Sequence, residues 1–233
     1  MSSRITRRIA AGAAIWFAIS FRACSSEEQN FATHLERAKE FQQKGRGREA
    51  LLELRSALQI DPGSAEANYR IAELLAKDNQ PADAVFFFRE TTRIDPTRSD
   101  AALAEAKLIL LDDTARAEEL VEKVLEREPG NVTAYLRRSE VALARGNSAD
   151  ALRAALTAVE LAPNDGMSHM QLGIVHLVRL RELAIQGAEI PGRNDEAAAA
   201  FARALQLDAK FQNADEARRE LEAAKTSAAS ETR

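Results

Sequence analysis

The sequence repeats one stretch four times, and the first copy reads ALLELRSALQIDP at residues 50–62. The later copies read AVFFFRETTRIDP at 84–96, AEELVEKVLEREP at 117–129 and ALRAALTAVELAP at 151–163. Each copy opens on alanine and closes on proline, and successive prolines lie 34, 33 and 34 residues apart. Because proline cannot continue a helix, each copy predicts a helix that ends just before its proline.

Small or modest side chains recur at two further places in each copy. Two antiparallel helices approach closely only where no large side chain separates their backbones, so these places predict helix contacts. Turn residues between the helices lie at Gly45, near Asn79, at Asp112-Asp113 and at Gly146-Asn147, and the third copy has lost one residue in its turn. The small positions are Ala57, Thr91, Val124 and Ala158, five residues before the proline, and Ala38, Ala72, Ala106 and Ser139, about one helix earlier.

This pattern resembles the tetratricopeptide repeat family, whose 34-residue unit is a helix, a turn and a second helix. The resemblance implies an all-α fold, a right-handed α-solenoid of five such units with a C-terminal capping helix. In the fifth unit, the apolar spacing extends the first helix before an insertion, and a second helix runs through Ala197, Phe201 and Ala204. The units are expected at 31–64, 65–98, 99–131, 132–165 and 166–211 with an insertion at about 178–194, followed by a capping helix at 212–226 and a disordered tail at 227–233.

In this family the first helix of each unit lines a concave groove, and the fifth residue of the unit points inward. Some members clamp a peptide carboxylate with lysine and asparagine, but Lys39 and Lys107 lack the partner asparagines. We therefore expect an apolar or amphipathic peptide segment in the groove, while packing of the same side chains between helices is the alternative. The expected groove residues are Leu35, Tyr69, Leu103, Leu136 and Met170, with Leu110, Leu143, Ile174 and Leu177 further along the same helix faces, beside Gln42 and Glu73.

The N-terminus has the pattern of a secretory signal, with three arginines in residues 1–8 and an uncharged stretch at 9–21. That stretch is shorter than the ~20 apolar residues that span a bilayer. Residues 21–24 resemble the lipobox of bacterial lipoproteins, because Ala23 precedes the only cysteine, Cys24. The resemblance implies a signal peptide at 1–23, acylation of Cys24, a linker at 24–30 and, from Ser25, the outer membrane facing the periplasm. A soluble exported protein and an uncleaved anchor remain alternatives.

Composition limits the other function classes. The 233 residues carry 32 basic and 36 acidic side chains, which argues against a nucleic-acid binder. A single cysteine excludes a disulfide framework and a thiolate zinc site. His169 and His176 are about 10 Å apart along one predicted helix, too far to share a zinc ion, and His34 likewise occupies a packing position.

No phosphate-binding loop or metalloprotease motif occurs, so we expect no enzyme, cofactor, metal or small-molecule substrate. The sequence predicts a non-catalytic scaffold that binds proteins or peptide segments and contacts the membrane through acyl chains on Cys24. By size and layout it resembles repeat lipoproteins of the bacterial envelope, either secretin pilotins or those of exopolysaccharide and exosortase systems. The alternative is a soluble periplasmic, chaperone-like adaptor.

Overall fold

The computed structural model describes residues 28–185 and 193–207, together with residues 219 and 222. Residues 28–185 and 193–207 form ten helices and no strand, which confirms the predicted all-α class. The predicted signal peptide, Cys24 and the tail at 227–233 lie outside the described residues, as do residues 186–192 of the insertion. The predicted capping helix also lies outside them, apart from residues 219 and 222, which are helical.

The helices alternate with turns of a few residues. The first, α1, covers residues 28–43, so it includes residues 28–30, which the sequence assigns to a linker. The helices that follow are α2 (Gly47–Ile60), α3 (Ala65–Lys77), α4 (Pro81–Ile94), α5 (Ser99–Ile109), α6 (Thr114–Arg127), α7 (Val132–Ala144), α8 (Ser148–Leu161), α9 (Gly166–Ile185) and α10 (Arg193–Leu207).

The repeated prolines mark helix ends as predicted. The helices α2, α4, α6 and α8 each end two residues before a proline. Two residues after the proline, a polar side chain then caps the next helix. Ser64 Oγ accepts a hydrogen bond from the Ala67 N–H, Asn131 Oδ1 accepts one from the Ala134 N–H, and Asp165 Oδ2 accepts one from the Ser168 N–H. These caps satisfy N–H groups that a helix cannot pair internally.

The chain divides into two compact units, Met1–Ala101 and Ala102–Arg233, called unit 1 and unit 2. In unit 1, α3 packs against both α2 and α4. In unit 2, each helix from α6 to α10 packs against the next one along the chain. Sequential packing of this kind is typical of repeat proteins, in which each repeat contacts its neighbours.

The recurring small residues lie at the most buried positions. Ala50, Ala84, Ala117 and Ala151, twelve residues before each proline, have no exposed surface. The residues five before each proline, from Ala57 to Ala158, are equally buried, as are Ala38, Ala72 and Ser139. This burial confirms that the helices approach one another at alanine-sized positions.

The shortened third repeat differs from the sequence prediction. The missing residue was expected in the turn, but the first helix takes the loss instead, because α5 has 11 residues where α3 and α7 have 13. The turns of the neighbouring repeats contain a left-handed residue, Asn79 at φ 57° and Gly146 at φ 71°. Between α5 and α6, Asp112 and Asp113 instead both donate backbone hydrogen bonds to the Ile109 carbonyl.

The fifth helix pair has its own core. Its first helix, α9, has 20 residues, and Met170 packs there against Ala197, Phe201 and Ala204 of α10. Gly173 allows this contact, because a Cβ atom at this position would lie 2.8 Å from the Phe201 ring. A larger residue would therefore push the ring and α10 away from α9.

We predict that Ala151→Leu destabilises unit 2 by about 1–3 kcal/mol, because Ala151 is fully buried beside Ala155 and Val175 and a larger side chain would overpack that site. Ala149→Leu is the matched control, since Ala149 lies on the same helix and is exposed. Urea unfolding followed by circular dichroism compares the two variants. Equal midpoints for both would contradict close helix approach at Ala151.

Candidate functional site

Unit 1 contains an open pocket of about 600 Å3 where the turn between α1 and α2 meets the end of α3. Gly45, at φ 70°, takes the left-handed conformation that this turn requires. The pocket is lined by Gln42, Gln43, Gly45, Gly47, Arg48, Leu51, Glu73, Leu74, Lys77 and Asp78.

The lining of this pocket combines apolar and polar side chains. Leu51, which is half-buried, supplies apolar surface, whereas Leu74 is only 9% exposed and adds little. Arg48 and Lys77 are exposed cations that a ligand can reach, and Arg48 also interacts electrostatically with Glu49. Asp78 accepts a hydrogen bond from Gln80 Nε2 at 2.6 Å. Such a lining suits a peptide, whose side chains need apolar contact and whose backbone needs hydrogen-bond partners.

Towards the start of α3, Arg98 links this helix to the start of α5 within unit 1. Its guanidinium lies 4.2 Å from the centre of the Tyr69 ring, a cation–π contact. It donates hydrogen bonds to Glu66 Oε2 at 2.9 Å and to both carboxylate oxygens of Asp100 at 2.9 and 3.1 Å. Arg70 also donates to Glu66, and the Tyr69 ring meets the Phe88 ring edge-on at 5.8 Å.

The pKa values in this cluster follow from burial and from Arg98. Burial alone would raise the pKa of Glu66, but hydrogen bonds from Arg98 and Arg70 outweigh it and lower that pKa. Burial would also raise the pKa of Asp100, but hydrogen bonds from Arg98 and from the Ala101 N–H outweigh it and lower that pKa. The pKa of the Tyr69 hydroxyl is raised by burial and by the carboxylates of Glu73 and Asp100. At neutral pH the carboxylates of Glu66 and Asp100 are therefore ionised and form ion pairs with Arg98.

Unit 2 has a related pocket of about 420 Å3 between α6, α7 and the start of α8. Charged side chains bridge it, because Arg145 pairs with Glu118 and Arg138 Nε lies 3.4 Å from Glu122 Oε1. In the repeat register, Glu118 stands where unit 1 has Leu51. A ligand that enters the unit 2 pocket would have to displace ion pairs, whereas a ligand in the unit 1 pocket would contact the apolar side chain of Leu51 at the equivalent position.

The predicted groove residues differ in exposure. Leu103, Leu136 and Met170 are only 4%, 8% and 2% exposed, so they have little surface for a partner. Met170 packs in the core of α9 and α10, with Ile174 and Leu177 against the same cluster. Leu143 packs against the cluster around Val175. The half-buried members are Leu35, Tyr69, Leu110, Leu143, Ile174 and Leu177. Partner binding by the whole set stays a prediction.

The three histidines have structural contacts. His34 Nδ1 is 2.6 Å from Glu53 Oε2, His176 Nδ1 is 3.2 Å from Glu196 Oε2, and His169 Nε2 is 2.9 Å from the Pro163 carbonyl oxygen. Across residues 28–185 and 193–207, no group of three His, Cys, Asp or Glu side chains could hold a metal ion. No helix in those ranges is long and apolar enough to cross a membrane.

Sequence reasoning missed Arg98, although the repeat register contains a signal. Two residues after the proline, Ser64, Asn131 and Asp165 cap the next helix with a side-chain oxygen. Arg98 occupies this position in the second repeat and has no acceptor atom. An arginine at a capping position must use its side chain elsewhere, and here it stacks on Tyr69.

The comparisons with known proteins agree with this architecture. Residues 41–108 and 111–166 match two families that are both described as "Tetratricopeptide repeat", and the matches together cover just over half of the chain. The chain therefore belongs to the tetratricopeptide repeat proteins, a family that binds other proteins or peptides and is generally non-catalytic. No curated protein matches the sequence significantly.

Solved structures with this fold are similar to most of the chain at low sequence identity. MamA from Desulfovibrio magneticus RS-1 is 18% identical, with 78% of this chain and 97% of that chain covered at a TM-score of 0.63. The thermophilic protein TTC0263 from Thermus thermophilus is 18% identical, with 83% of this chain and 98% of that chain covered at a TM-score of 0.65. YrrB, described as a TPR protein with an unusual peptide-binding site, is 15% identical, with 80% of this chain and 90% of that chain covered at a TM-score of 0.55. These similarities establish the fold.

We predict that Arg98→Gln destabilises unit 1 by about 1–2 kcal/mol, because it removes two ion pairs and the Tyr69 contact. Arg93→Gln is the control, since Arg93 is exposed and pairs with nearby Glu90 on the same helix; we expect a change within about 0.5 kcal/mol. Urea unfolding, with hydrogen exchange of residues 65–101 to locate the effect, measures both. A larger loss for Arg93→Gln would contradict this account.

The difference between wild type and Arg98→Gln should also depend on pH. The pKa values of Glu66 and Asp100 are lowered from ordinary values of 4.5 and 3.8, so their stabilising contribution is complete above those values. It is lost as pH falls through the lower folded pKa values. We expect the wild-type advantage to be constant above about pH 5 and to decline towards pH 3. An advantage that grows on acidification would exclude these ion pairs as its source.

Proposed function

We propose that this protein is a non-catalytic scaffold that binds an apolar or amphipathic peptide segment of another protein in the unit 1 pocket. The observation that carries the proposal is the lining of that pocket, in which the half-buried Leu51 lies among polar and charged side chains. Its volume of about 600 Å3 lies within the range of ligand-binding clefts. Gln42 and Glu73, on the predicted groove faces of α1 and α3, also line it.

The polar and charged side chains that line the pocket favour a peptide over a purely apolar ligand. The amides of Gln42 and Gln43 each offer donors and an acceptor, which matches the backbone of an extended segment. Arg48 and Lys77 can pair with carboxylates of the segment, and Glu73 can accept from its N–H groups. The description of YrrB, a tetratricopeptide protein with a peptide-binding site, is consistent with this class of ligand.

We further propose that the scaffold is lipid-anchored in the bacterial envelope through Cys24, at the outer membrane facing the periplasm, where it assists assembly of an envelope or secretion complex. The support is in the sequence, where an arginine-rich start and a short apolar stretch precede Ala23 and Cys24. Two or more acyl chains would hold the protein stably on a bilayer. The alternative is a soluble periplasmic adaptor that uses the same pocket.

The pocket is tested by photo-crosslinking in the native cell. A photo-reactive residue replacing Gln43, at the pocket, should yield a discrete crosslinked product. The same residue replacing Gln59, which is exposed on α2 outside the pocket, should not. Leu51→Glu should abolish the product, because it places a charge on the apolar surface, whereas Leu161→Glu on an exposed site of unit 2 should leave it. Equal crosslinking from both glutamine positions would refute the pocket as the binding site.

Lipid anchoring is tested separately by metabolic labelling with a palmitate analogue. We expect label in the wild-type protein and none in Cys24→Ala, because the chain has no other cysteine. An unlabelled wild type that fractionates with periplasmic proteins would favour the soluble adaptor. That result would leave the crosslinking prediction intact.

A further inference from the structure

Two large apolar side chains are exposed at the same repeat position in unit 1. Leu52 on α2 is 64% exposed and Phe86 on α4 is 59% exposed. Each lies ten residues before the proline of its repeat, so the two side chains lie on the same side of their helix pairs. The Phe86 ring meets the neighbouring Phe87 ring edge-on at 5.2 Å. Its exposed part has no role in the packing of unit 1.

Arginines accompany these apolar residues at helical spacing. Arg55 and Arg89 each follow the apolar residue by three positions, and Arg93 lies one turn further along α4. All three arginines are exposed, and Arg93 also donates a hydrogen bond to Glu90. We call Leu52, Arg55, Phe86, Arg89 and Arg93 the basic–apolar patch. Asp83, at the start of α4, is an exposed acid near it.

The repeat architecture does not require this composition. In unit 2 the positions equivalent to Leu52 and Arg55 are Arg153 and Leu156 on α8, but on α6 they are Glu119 and Glu122. On α6, Glu119 accepts hydrogen bonds from Arg116 and Lys123, so that helix surface is a network of ion pairs. A network of this kind is the ordinary way to solvate the exposed face of a helix. The patch contains one ion pair, between Arg93 and Glu90, but it differs from the α6 surface in its two large exposed apolar side chains.

We propose that the basic–apolar patch docks unit 1 onto the surface of a bilayer that contains anionic lipids. Leu52 and Phe86 would enter the boundary between headgroups and acyl chains, while the arginines pair with lipid phosphates at the same depth. Long arginine side chains can lie along an apolar surface and keep the charged group in water, which suits this position. The three arginines outnumber the nearby acids Asp83 and Glu90, so the net charge of this surface is opposite to that of the lipid.

The position of the patch in the chain agrees with a bilayer as its partner. Helix α1 is already formed at residue 28, four residues after Cys24, and four residues span at most about 14 Å. If Cys24 is acylated, unit 1 is held next to the membrane, so even weak attraction of the patch would be sufficient for docking. The inference therefore adds to the proposed anchor, but the affinity of the patch for lipid can be measured without it.

The test uses the full chain with Cys24→Ser, which removes the acylation site and the only native cysteine. A single cysteine is then introduced as Phe86→Cys and labelled with an environment-sensitive dye. The matched control is Leu111→Cys, because Leu111 is also exposed but lies in unit 2 beside the exposed acids Asp112 and Asp113. Each protein is titrated with phosphatidylcholine vesicles that contain either no phosphatidylglycerol or about one third of it.

We expect a blue-shifted emission from position 86 with the anionic vesicles and little change from position 111. Adding Arg55→Gln and Arg89→Gln should weaken the apparent vesicle affinity by about fivefold per arginine. Circular dichroism must show that each variant keeps its helices. Binding by residues 1–23 would bring unit 1 to the vesicle in every variant, so the two arginine substitutions, which leave that segment unchanged, separate its contribution from that of the patch.

Three results would overturn the proposal. One is an equal response at positions 86 and 111, and another is a response at 86 that is independent of phosphatidylglycerol or is unchanged by Arg55→Gln and Arg89→Gln. The third is no response to any vesicle together with a response to an acidic amphipathic peptide, which would assign the patch to a protein partner. Failure of palmitate labelling would remove the anchor but would leave the vesicle result unchanged, so the two proposals fail separately.

Discussion

The whole structure depends on close contact between helices at positions where the side chain is no larger than that of alanine. Ala50, Ala84, Ala117 and Ala151 have no exposed surface, and each lies in the first turn of the second helix of its repeat. A methyl group at that place lets neighbouring backbones approach and pack along their lengths. The order of helices and the faces that remain exposed follow from these contacts, because each helix can turn only its remaining surface to solvent.

The functional features lie where one repeat departs from the others. Arg98 replaces a helix cap and instead stacks on Tyr69 and pairs with two carboxylates. Glu118 occupies the place where the other repeats have Leu51, Val85 and Leu152, so the unit 2 pocket contains an ion pair where the unit 1 pocket has leucine. What the repeats share is used for folding, so the differences between their surfaces arise at residues that break the pattern without disturbing the contacts.

Much of the fold could be read from spacing alone, because proline, alanine and glycine act locally. The prolines predicted the ends of four helices, and Gly45, Asn79 and Gly146 marked turns that contain a left-handed residue. The groove residues were less accessible to sequence reasoning. The position of a residue in its helix does not show whether the side chain lines an open surface or lies beneath a neighbouring helix. Met170, for example, is buried because α10 packs over it.

By itself, the sequence determined that this chain is helical, that its helices come in pairs of about 34 residues and that the pairs belong to the tetratricopeptide repeat family. Those properties depend on residues close together in the chain. Only the tertiary structure decided which leucines stay accessible, which carboxylates Arg98 engages and where a pocket of useful size remains. These depend on how neighbouring helices meet in three dimensions, since exposure and pairing are set by residues that are about one repeat apart in the sequence.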